Sequence, residues 1–133
     1  MDKATIGTAL GSFQAYTQAF QSLDAKAVSL HFYEPAILIT PKGVVALSSA
    51  ADVEQAYARI MAELPALGYA GTEFSAVSER KLGDDLSLVT GGGTWKKASG
   101  ERFMPFGMTY TLRRSGDEWL IVVAAIHAPD SRE

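Results

Sequence analysis

Three clusters of turn-forming residues divide the second half of the chain into strand-length segments, and this spacing constrains the fold more than any other feature. The clusters are Gly83-Asp84-Asp85, Ala98-Ser99-Gly100 and Ser115-Gly116-Asp117. Gly, Asp and Ser favour tight turns, so the chain from Tyr69 onward is predicted to form strands of about 10 to 13 residues. Four consecutive strands joined by short turns would make an antiparallel meander.

The first half of the chain has helical periodicity instead. Apolar residues at three- and four-residue steps predict a first helix near residues 4–22. Its stripe consists of Ile6, Leu10, Phe13, Thr17 and Phe20, with Tyr16 beside it. Asp24 is a suitable cap for a short second helix near residues 24–32, which Pro35 is predicted to stop.

A small hairpin and a third helix follow. Residues 36–47 are predicted to form the hairpin, because Pro41-Lys42-Gly43 is a turn sequence between two apolar runs. Ser49 and Asp52 resemble a capping box that opens a helix near residues 49–64. The inner stripe of this helix is Val53, Tyr57, Ile60, Met61 and Leu64.

Poor ladder residues within the predicted meander indicate a bent sheet. Gly91-Gly92-Gly93 and Pro105 fall in mid-strand, where such residues mark bulges or bends. The element order ααββαββββ then predicts an α+β fold with helices packed into a strongly curved sheet. We expect the whole chain, residues 1–133, to be one domain with a core from about 5 to 128 and a tail at 129–133.

Composition excludes several functional classes. The chain has no Cys, which rules out a disulfide scaffold, a thiolate zinc site and a cysteine nucleophile. With 12 Lys+Arg against 15 Asp+Glu, a broad nucleic-acid or anionic-membrane surface is not expected. The absence of Cys leaves the compartment open, with a reducing cytoplasm as the default expectation. No apolar run has membrane-spanning length, so the protein is not expected to be integral to a membrane. His31 and His127 lie far apart, so we predict neither a metal site nor a cofactor.

Three stretches of the chain carry a resemblance to a known superfamily. They are LDAKAVSLHFYEPAILITPKG, SSAADVEQAYARI and the closing GDEWLIVVAAIHAPD. Together with the element order, they resemble the NTF2-like, or SnoaL-like, superfamily, which includes ketosteroid isomerases, limonene epoxide hydrolase, scytalone dehydratase and polyketide cyclases. The resemblance implies a cystatin-like cone, in which three N-terminal helices pack on a strongly curved antiparallel sheet.

Ketosteroid isomerases offer the sharpest comparison within that superfamily. By resemblance, their oxyanion-hole Tyr falls on Tyr16, a supporting phenol falls on Tyr57, and the protonated Asp of the oxyanion hole falls near Tyr110. Their general-base Asp falls on Thr40, whose neutral hydroxyl cannot abstract a carbon-bound proton. The resemblance therefore implies a pocket with phenols but without the acid–base pair, and it argues against the usual isomerase mechanism.

Strand alternation predicts the lining of that pocket, because residues two apart share a face. In the final strand this rule groups Ile121, Val123, Ala125 and His127, and the resemblance places their face inside the cone. Glycines at 91 and 93 would leave volume there for a ligand. The predicted lining is Tyr16, Thr40, Tyr57, Met61, Val89, Trp95, Phe106, Met108, Tyr110, Val123 and His127.

Three functions of different classes remain open. We favour binding of a small apolar molecule with a polar end, with His127 and Tyr16 facing a common chamber. The alternative is a cofactor-free isomerase, dehydratase or cyclase, in which Tyr16 or Tyr110 polarises a carbonyl or hydroxyl while His127 transfers a proton. Asp130 could join His127 at the mouth of the cone. The third is an association module with a vestigial pocket.

A homodimer through the outer sheet face is expected in each of these cases. The residues predicted for that face are apolar, which is unusual for a solvated surface. They are Leu86, Leu88, Leu120, Val122 and Ile126.

Overall fold

The computed structural model describes residues 8–129 and confirms the predicted α+β architecture. Its helices are α1 (Ala9–Gln21), α2 (Ala25–Ser29) and α3 (Ala50–Glu63), followed by a single 3-10 turn at Pro65–Leu67. Its strands are β1 (Phe32–Thr40), β2 (Gly43–Leu47), β3 (Tyr69–Lys81), β4 (Leu86–Lys97), β5 (Arg102–Ser115) and β6 (Glu118–His127). Residues 4–7 of the predicted first helix, and Asp130, lie outside the described residues.

Side-chain caps fix where each helix begins. The Thr8 Oγ1 accepts from the Gly11 N–H at 2.9 Å, and an Asp24 carboxylate oxygen accepts from the Ala27 N–H at 3.0 Å. At α3, the Ser49 Oγ accepts from the Asp52 N–H at 3.3 Å. These contacts satisfy N–H groups that have no partner inside their helix.

The second helix is shorter than predicted, and the first strand begins earlier. α2 ends at Ser29, and Phe32 is already in β1. The His31 carbonyl accepts from the Ile121 N–H at 2.8 Å, so the chain joins the sheet just after the helix. Pro35 lies inside β1, where the pairing with β6 is interrupted between Phe32 and Ile37. The prediction that Pro35 stops a helix was wrong because tertiary pairing overrides the local helical pattern.

The six strands form one sheet in the order β2-β1-β6-β5-β4-β3. β3 to β6 make the predicted antiparallel meander, and β1 with β2 makes the predicted hairpin. The sheet is not antiparallel throughout, since β1 pairs with β6 in parallel. The hairpin precedes α3 in the chain but docks beside the last strand.

Several bulges interrupt the sheet, and two of them change which residues share a face near the predicted pocket. In β3, Ala76 has a φ of 54°, and Ala76 with Val77 stands opposite Gly91. In β6, Leu112 pairs with Ile121 but Thr111 pairs with Val123, so Val122 is an extra residue. An extra residue reverses the alternation beyond it.

Helices α1 and α3 cover one face of the sheet, here called the inner face, and the opposite side is the outer face. Residues from both helices and from the inner face form one core. Its fully buried members include Ala9, Val28, Val53, Val89, Leu112, Ile121 and Ala124. No helix among residues 8–129 is long and apolar enough to cross a membrane.

Candidate functional site

Three tyrosine hydroxyls meet at the centre of the core. Tyr16 comes from α1, Tyr57 from α3 and Tyr110 from β5, and all three side chains are buried. The Tyr16 hydroxyl lies 2.9 Å from that of Tyr57 and 2.8 Å from that of Tyr110. The structure therefore brings together the three phenols that the resemblance implied, with Tyr16 in the middle.

Aromatic rings enclose this phenol trio. The Phe13 ring contacts that of Tyr110 with centroids 5.1 Å apart, and the Phe32 ring lies 5.6 Å from that of Tyr57 and 5.9 Å from that of Tyr16. The tilted and edge-on geometries are those that aromatic pairs prefer. The three hydroxyls are thus a small polar group surrounded by apolar side chains.

The same surroundings keep the phenols protonated. Burial raises the pKa of Tyr16 well above its ordinary value, and the nearby Tyr110 and Tyr57 hydroxyls raise it further. Burial likewise raises the pKa of Tyr57 well above its ordinary value and that of Tyr110 to about 12. At neutral pH each hydroxyl is a hydrogen-bond donor and not a base.

A count of donors leaves one proton unassigned in the trio. Each phenol carries one O–H donor. The trio makes one hydrogen bond between Tyr16 and Tyr57 and another between Tyr16 and Tyr110. Two bonds use two of the three protons, so one O–H has no acceptor within the trio. An unmatched donor in an apolar interior is costly, and an incoming acceptor oxygen would satisfy it.

The volume predicted above the strand glycines is already filled. A Cβ on Gly93 would lie 2.8 Å from the Phe106 ring and 3.0 Å from the Glu73 carbonyl. A Cβ on Gly91 would lie 3.0 Å from the Val77 Cα in the β3 bulge. The glycines admit a ring and a neighbouring backbone, and the expectation that they leave open space for a ligand was wrong.

Some of the other predicted lining residues are buried in the core, and others lie at its edge or at the surface. Met61, Val89 and Met108 are buried in the same core as the trio, whereas Trp95 and Phe106 are half-buried. Thr40 ends β1, and its Oγ1 accepts from the Lys42 N–H at 3.2 Å, so it organises the hairpin turn.

His127 and Val123 do not face the chamber. Both lie beyond the extra residue Val122 and pair with Gly107 and Thr111 on the outer face, whereas Ala124 and Ile126 turn into the core. The predicted inward position of both residues was wrong, because the bulge reverses strand alternation. The same reversal removes Ile126 from the predicted outer face.

The His127 ring is held on the outer face by neighbouring groups. Its Nε2 lies 3.1 Å from the Thr109 Oγ1, and its Nδ1 lies 2.9 Å from the Ala128 carbonyl oxygen. A carbonyl can only accept, so the Nδ1–H donates to the Ala128 carbonyl oxygen. The sheet thus separates this imidazole from the Tyr16 hydroxyl.

An aromatic path leads from the trio toward the surface, and sequence patterns did not indicate it. The Phe20 ring lies 6.2 Å from that of Tyr57 and stacks on Trp95 at 6.4 Å, while Tyr69 lies edge-on to Trp95 at 5.4 Å. The Tyr69 hydroxyl contacts the Thr72 Oγ1 at 2.7 Å, and Thr72 lines a surface depression of about 320 Å³. Phe20 was identified only as a core residue, since its stacking partner is distant in sequence.

Neither of two surface depressions is lined by the trio. The first, about 320 Å³, lies between the end of α1 and the ends of β3 and β4. The second, about 420 Å³, lies between α1 and the β5–β6 turn and includes His31, whose pKa burial lowers. Within residues 8–129, no three His, Asp or Glu side chains gather in a way that could hold a metal ion.

One family model matches nearly all of the chain. The family described as NTF2-like protein (DUF6841) matches residues 9–129. The chain belongs to this NTF2-like family. A comparison with curated proteins finds no match.

Solved structures share the NTF2-like fold at low sequence identity. A Thiobacillus denitrificans protein, provisionally described as a calcium/calmodulin-dependent protein kinase type II association domain, is 17% identical, with a TM-score of 0.75 over 94% of this chain and 98% of that chain. A Streptomyces avermitilis protein, provisionally described as an NTF2-like dehydratase, is 18% identical, with a TM-score of 0.72 over 92% of this chain and 95% of the other.

A third structure is described as an NTF2-like protein with a cystatin-like fold. The NTF2-like protein from Novosphingobium aromaticivorans is 17% identical, with a TM-score of 0.72 over 91% of this chain and 79% of that chain. At identities this low, the structural similarity shows the fold of this NTF2-like chain, and its activity has to be argued from the site.

Proposed function

We propose that this NTF2-like protein binds a small apolar molecule that presents one hydrogen-bond acceptor, such as a carbonyl oxygen, to the phenol trio. The observation that carries the proposal is the donor count, in which three O–H groups share two hydrogen bonds. The surrounding rings of Phe13 and Phe32 suit an apolar ligand body. An apolar site with few polar groups is the usual composition of a small-molecule pocket.

Room for the ligand would come from a side-chain rearrangement. The half-buried Phe106 ring lies over Gly93, which has no side chain of its own, and rotating the ring away would uncover the inner face of β4. Phe20 and Trp95 would flank the entry on the side of the Thr72 depression.

The residues near the trio favour binding over acid–base catalysis. The raised pKa values make the phenols donors that can polarise a carbonyl, but a proton-abstracting base is also needed for isomerisation. Thr40 occupies the position where the isomerase base would stand, and His127 is on the outer face.

The test compares two probes of the same shape. 2-Acetylnaphthalene has a ketone oxygen, and 2-ethylnaphthalene lacks it. We expect the ketone to bind about five- to tenfold more tightly, since one satisfied buried donor contributes about 1 to 1.4 kcal/mol. Titration calorimetry or an NMR titration measures both affinities.

Two variants make this result specific to the phenols. Tyr16→Phe/Tyr57→Phe/Tyr110→Phe replaces every partner with a ring of the same shape and should abolish the ketone preference while preserving the fold. Tyr33→Phe, whose ring lies near Arg113 and makes no hydrogen bond to the trio, should retain it. Equal binding of both probes to the natural protein, or an unchanged preference in the triple variant, contradicts the proposal.

Association of two copies through the outer face is the second candidate function. At the centre of that face Val123 and Ala125 pair with Thr111 and Thr109 on β5 and with Ile37 and Ile39 on β1. This uncharged patch is unusual for a surface that remains in water. We expect light scattering to give at least twice the 14.2 kDa chain mass, and Ala125→Glu to halve the mass of the natural protein. A single mass for the natural protein excludes this candidate.

A further inference from the structure

The edge strand β2 is exposed, apolar and unprotected. It lies at one end of the sheet and pairs only with β1. Gly43–Leu47 contains no charged residue and no Pro, and the side chains of Val44 and Val45 are 69% and 47% exposed. Natural proteins usually protect such edges with charges, Pro or bulges, because an open edge can pair with another strand.

The opposite edge of the same sheet has those protections. β3 carries Glu73, Glu79 and Arg80, and its bulge at Ala76 interrupts the ladder. The Glu73 carboxylate also forms an ion pair with Arg102 at 2.6 Å. The lack of protection is therefore a property of β2 and not of the sheet as a whole.

Backbone geometry determines which groups of β2 are open. The two-residue turn pairs Thr40 with Gly43, and the next pairs join Ile39 to Val44 and Leu38 to Val45. In an antiparallel ladder, hydrogen-bonded and non-hydrogen-bonded pairs alternate. A two-residue hairpin begins with a hydrogen-bonded pair, so the N–H and C=O groups of Val44 point away from β1, as do those of Ala46.

We propose that β2 pairs in antiparallel orientation with β2 of a second copy of this chain, around a two-fold axis at Val45. In this register Val44 of each copy exchanges backbone hydrogen bonds with Ala46 of the other, which uses the open groups on both strands. The two Val45 side chains meet at the axis as a non-hydrogen-bonded pair, where side chains approach most closely. The six-stranded sheet would continue across the axis.

Charges at the two ends of β2 favour a second copy as the occupant. The register places Lys42 of one copy opposite Ser48 of the other. The Ser48 N–H donates to the Asp52 carboxylate at 3.0 Å, so an acidic group stands beside the position that Lys42 reaches. Two-fold symmetry repeats this contact at the other end of the pair. The chain is thus complementary to itself in hydrogen bonding, apolar surface and charge.

Site-directed cross-linking tests the register directly, because the natural chain has no Cys. In a non-hydrogen-bonded antiparallel pair the Cα atoms lie about 4.5 Å apart, within the range that a disulfide spans. We expect purified Val45→Cys to form a covalent dimer of twice the 14.2 kDa chain mass under mild oxidation. Leu67→Cys is the matched control, since Leu67 has the same 47% exposure and lies outside β2.

A second variant tests the charge contact and separates this interface from the outer face. Lys42→Glu places like charges at both ends of the pair and should reduce the yield of the Val45→Cys cross-link several-fold, whereas Ala125→Glu on the outer face should leave it unchanged. A monomeric Val45→Cys protein, or equal cross-linking by Leu67→Cys, overturns the proposal whatever other strand the edge accepts. This inference does not depend on the ligand proposed for the phenol trio.

Discussion

The two faces of the sheet differ in how deeply their residues are buried. On the inner face, Tyr110 and Ala124 pair across β5 and β6 and are enclosed by helices. On the outer face, the next pair along the same strands, Thr109 with Ala125, is only partly buried. Adjacent residues on one strand therefore lie in the packed interior and on the surface. The extra residue Val122 determines which β6 side chains lie on the inner face and which lie on the outer face.

Ala124→Glu and Ala125→Glu test that assignment with the same substitution at adjacent positions. Ala124 has no exposed surface, so a carboxylate there would be buried without a partner. We expect Ala124→Glu to lower the free energy of unfolding by about 4 kcal/mol or to prevent folding. Ala125→Glu keeps its charge in water and should cost about 1 kcal/mol or less. Denaturant unfolding measures both losses of stability. A larger loss for Ala125→Glu than for Ala124→Glu would contradict the bulge at Val122.

Single replacements in the phenol trio should have unequal effects on stability. Tyr16→Phe leaves the Tyr57 and Tyr110 hydroxyls buried without a partner, and we expect it to cost about 3 kcal/mol. Tyr57→Phe leaves the bond between Tyr16 and Tyr110 intact and should cost about 1 kcal/mol. The triple Phe variant should be more stable than Tyr16→Phe alone. Chemical denaturation that gave equal losses for the two single variants would contradict the central position of Tyr16.

Alkaline pH should destabilise the inner face specifically. Burial raises the pKa of Tyr110 to about 12 from an ordinary 10.0, so between these values the unfolded chain loses a proton that the folded protein retains. That loss favours unfolding, and the contribution of Tyr110, constant below pH 10, falls by about 2 to 3 kcal/mol as the pH rises to 12. Denaturant unfolding between pH 10 and 12 should show that the free energy of unfolding falls less steeply for Tyr110→Phe than for the natural protein. An identical decline would assign the effect to other groups.

The smallest effect is expected on the outer face, at His127. Its imidazole is exposed and contacts the Thr109 hydroxyl and the Ala128 carbonyl. We expect His127→Ala to change the free energy of unfolding by about 0.5 kcal/mol and to leave the affinity for 2-acetylnaphthalene unchanged. A loss of ketone binding in this variant would place the imidazole in the binding site, contrary to the observed separation of the two faces.

Local patterns predicted the helices and strands and the three phenols, but they did not predict which side chains of β6 face the core. Turn residues located β3 to β6, and helical spacing with a family resemblance identified Tyr16 and Tyr57. The bulge at Val122 has no signal of its own, since Ile121, Val122 and Val123 are all good strand residues. The position of the bulge follows from the pairing of β6 with β5, which is a tertiary contact. The predicted inward positions of Val123 and His127 were both wrong for that reason.

The glycines show a similar limit. The missing side chains at Gly91 and Gly93 leave room beside the strand, but a sequence cannot say whether the neighbour that takes this room is a ligand, a ring or another backbone. In the structure it is the Phe106 ring at Gly93 and the β3 backbone at Gly91. The choice depends on side-chain packing across strands that are far apart in the chain.

The position of β6 between β1 and β5 also sets the order in which the molecule can assemble. During synthesis the hairpin of β1 and β2 and the meander from β3 to β5 share no strand-to-strand contact until residues 118–127 have been made. Contacts between distant segments form slowly, because the chain between them must first be ordered. Until the strand that joins them has been made, the sheet can form only as two separate parts, and the inner face that covers the core is incomplete.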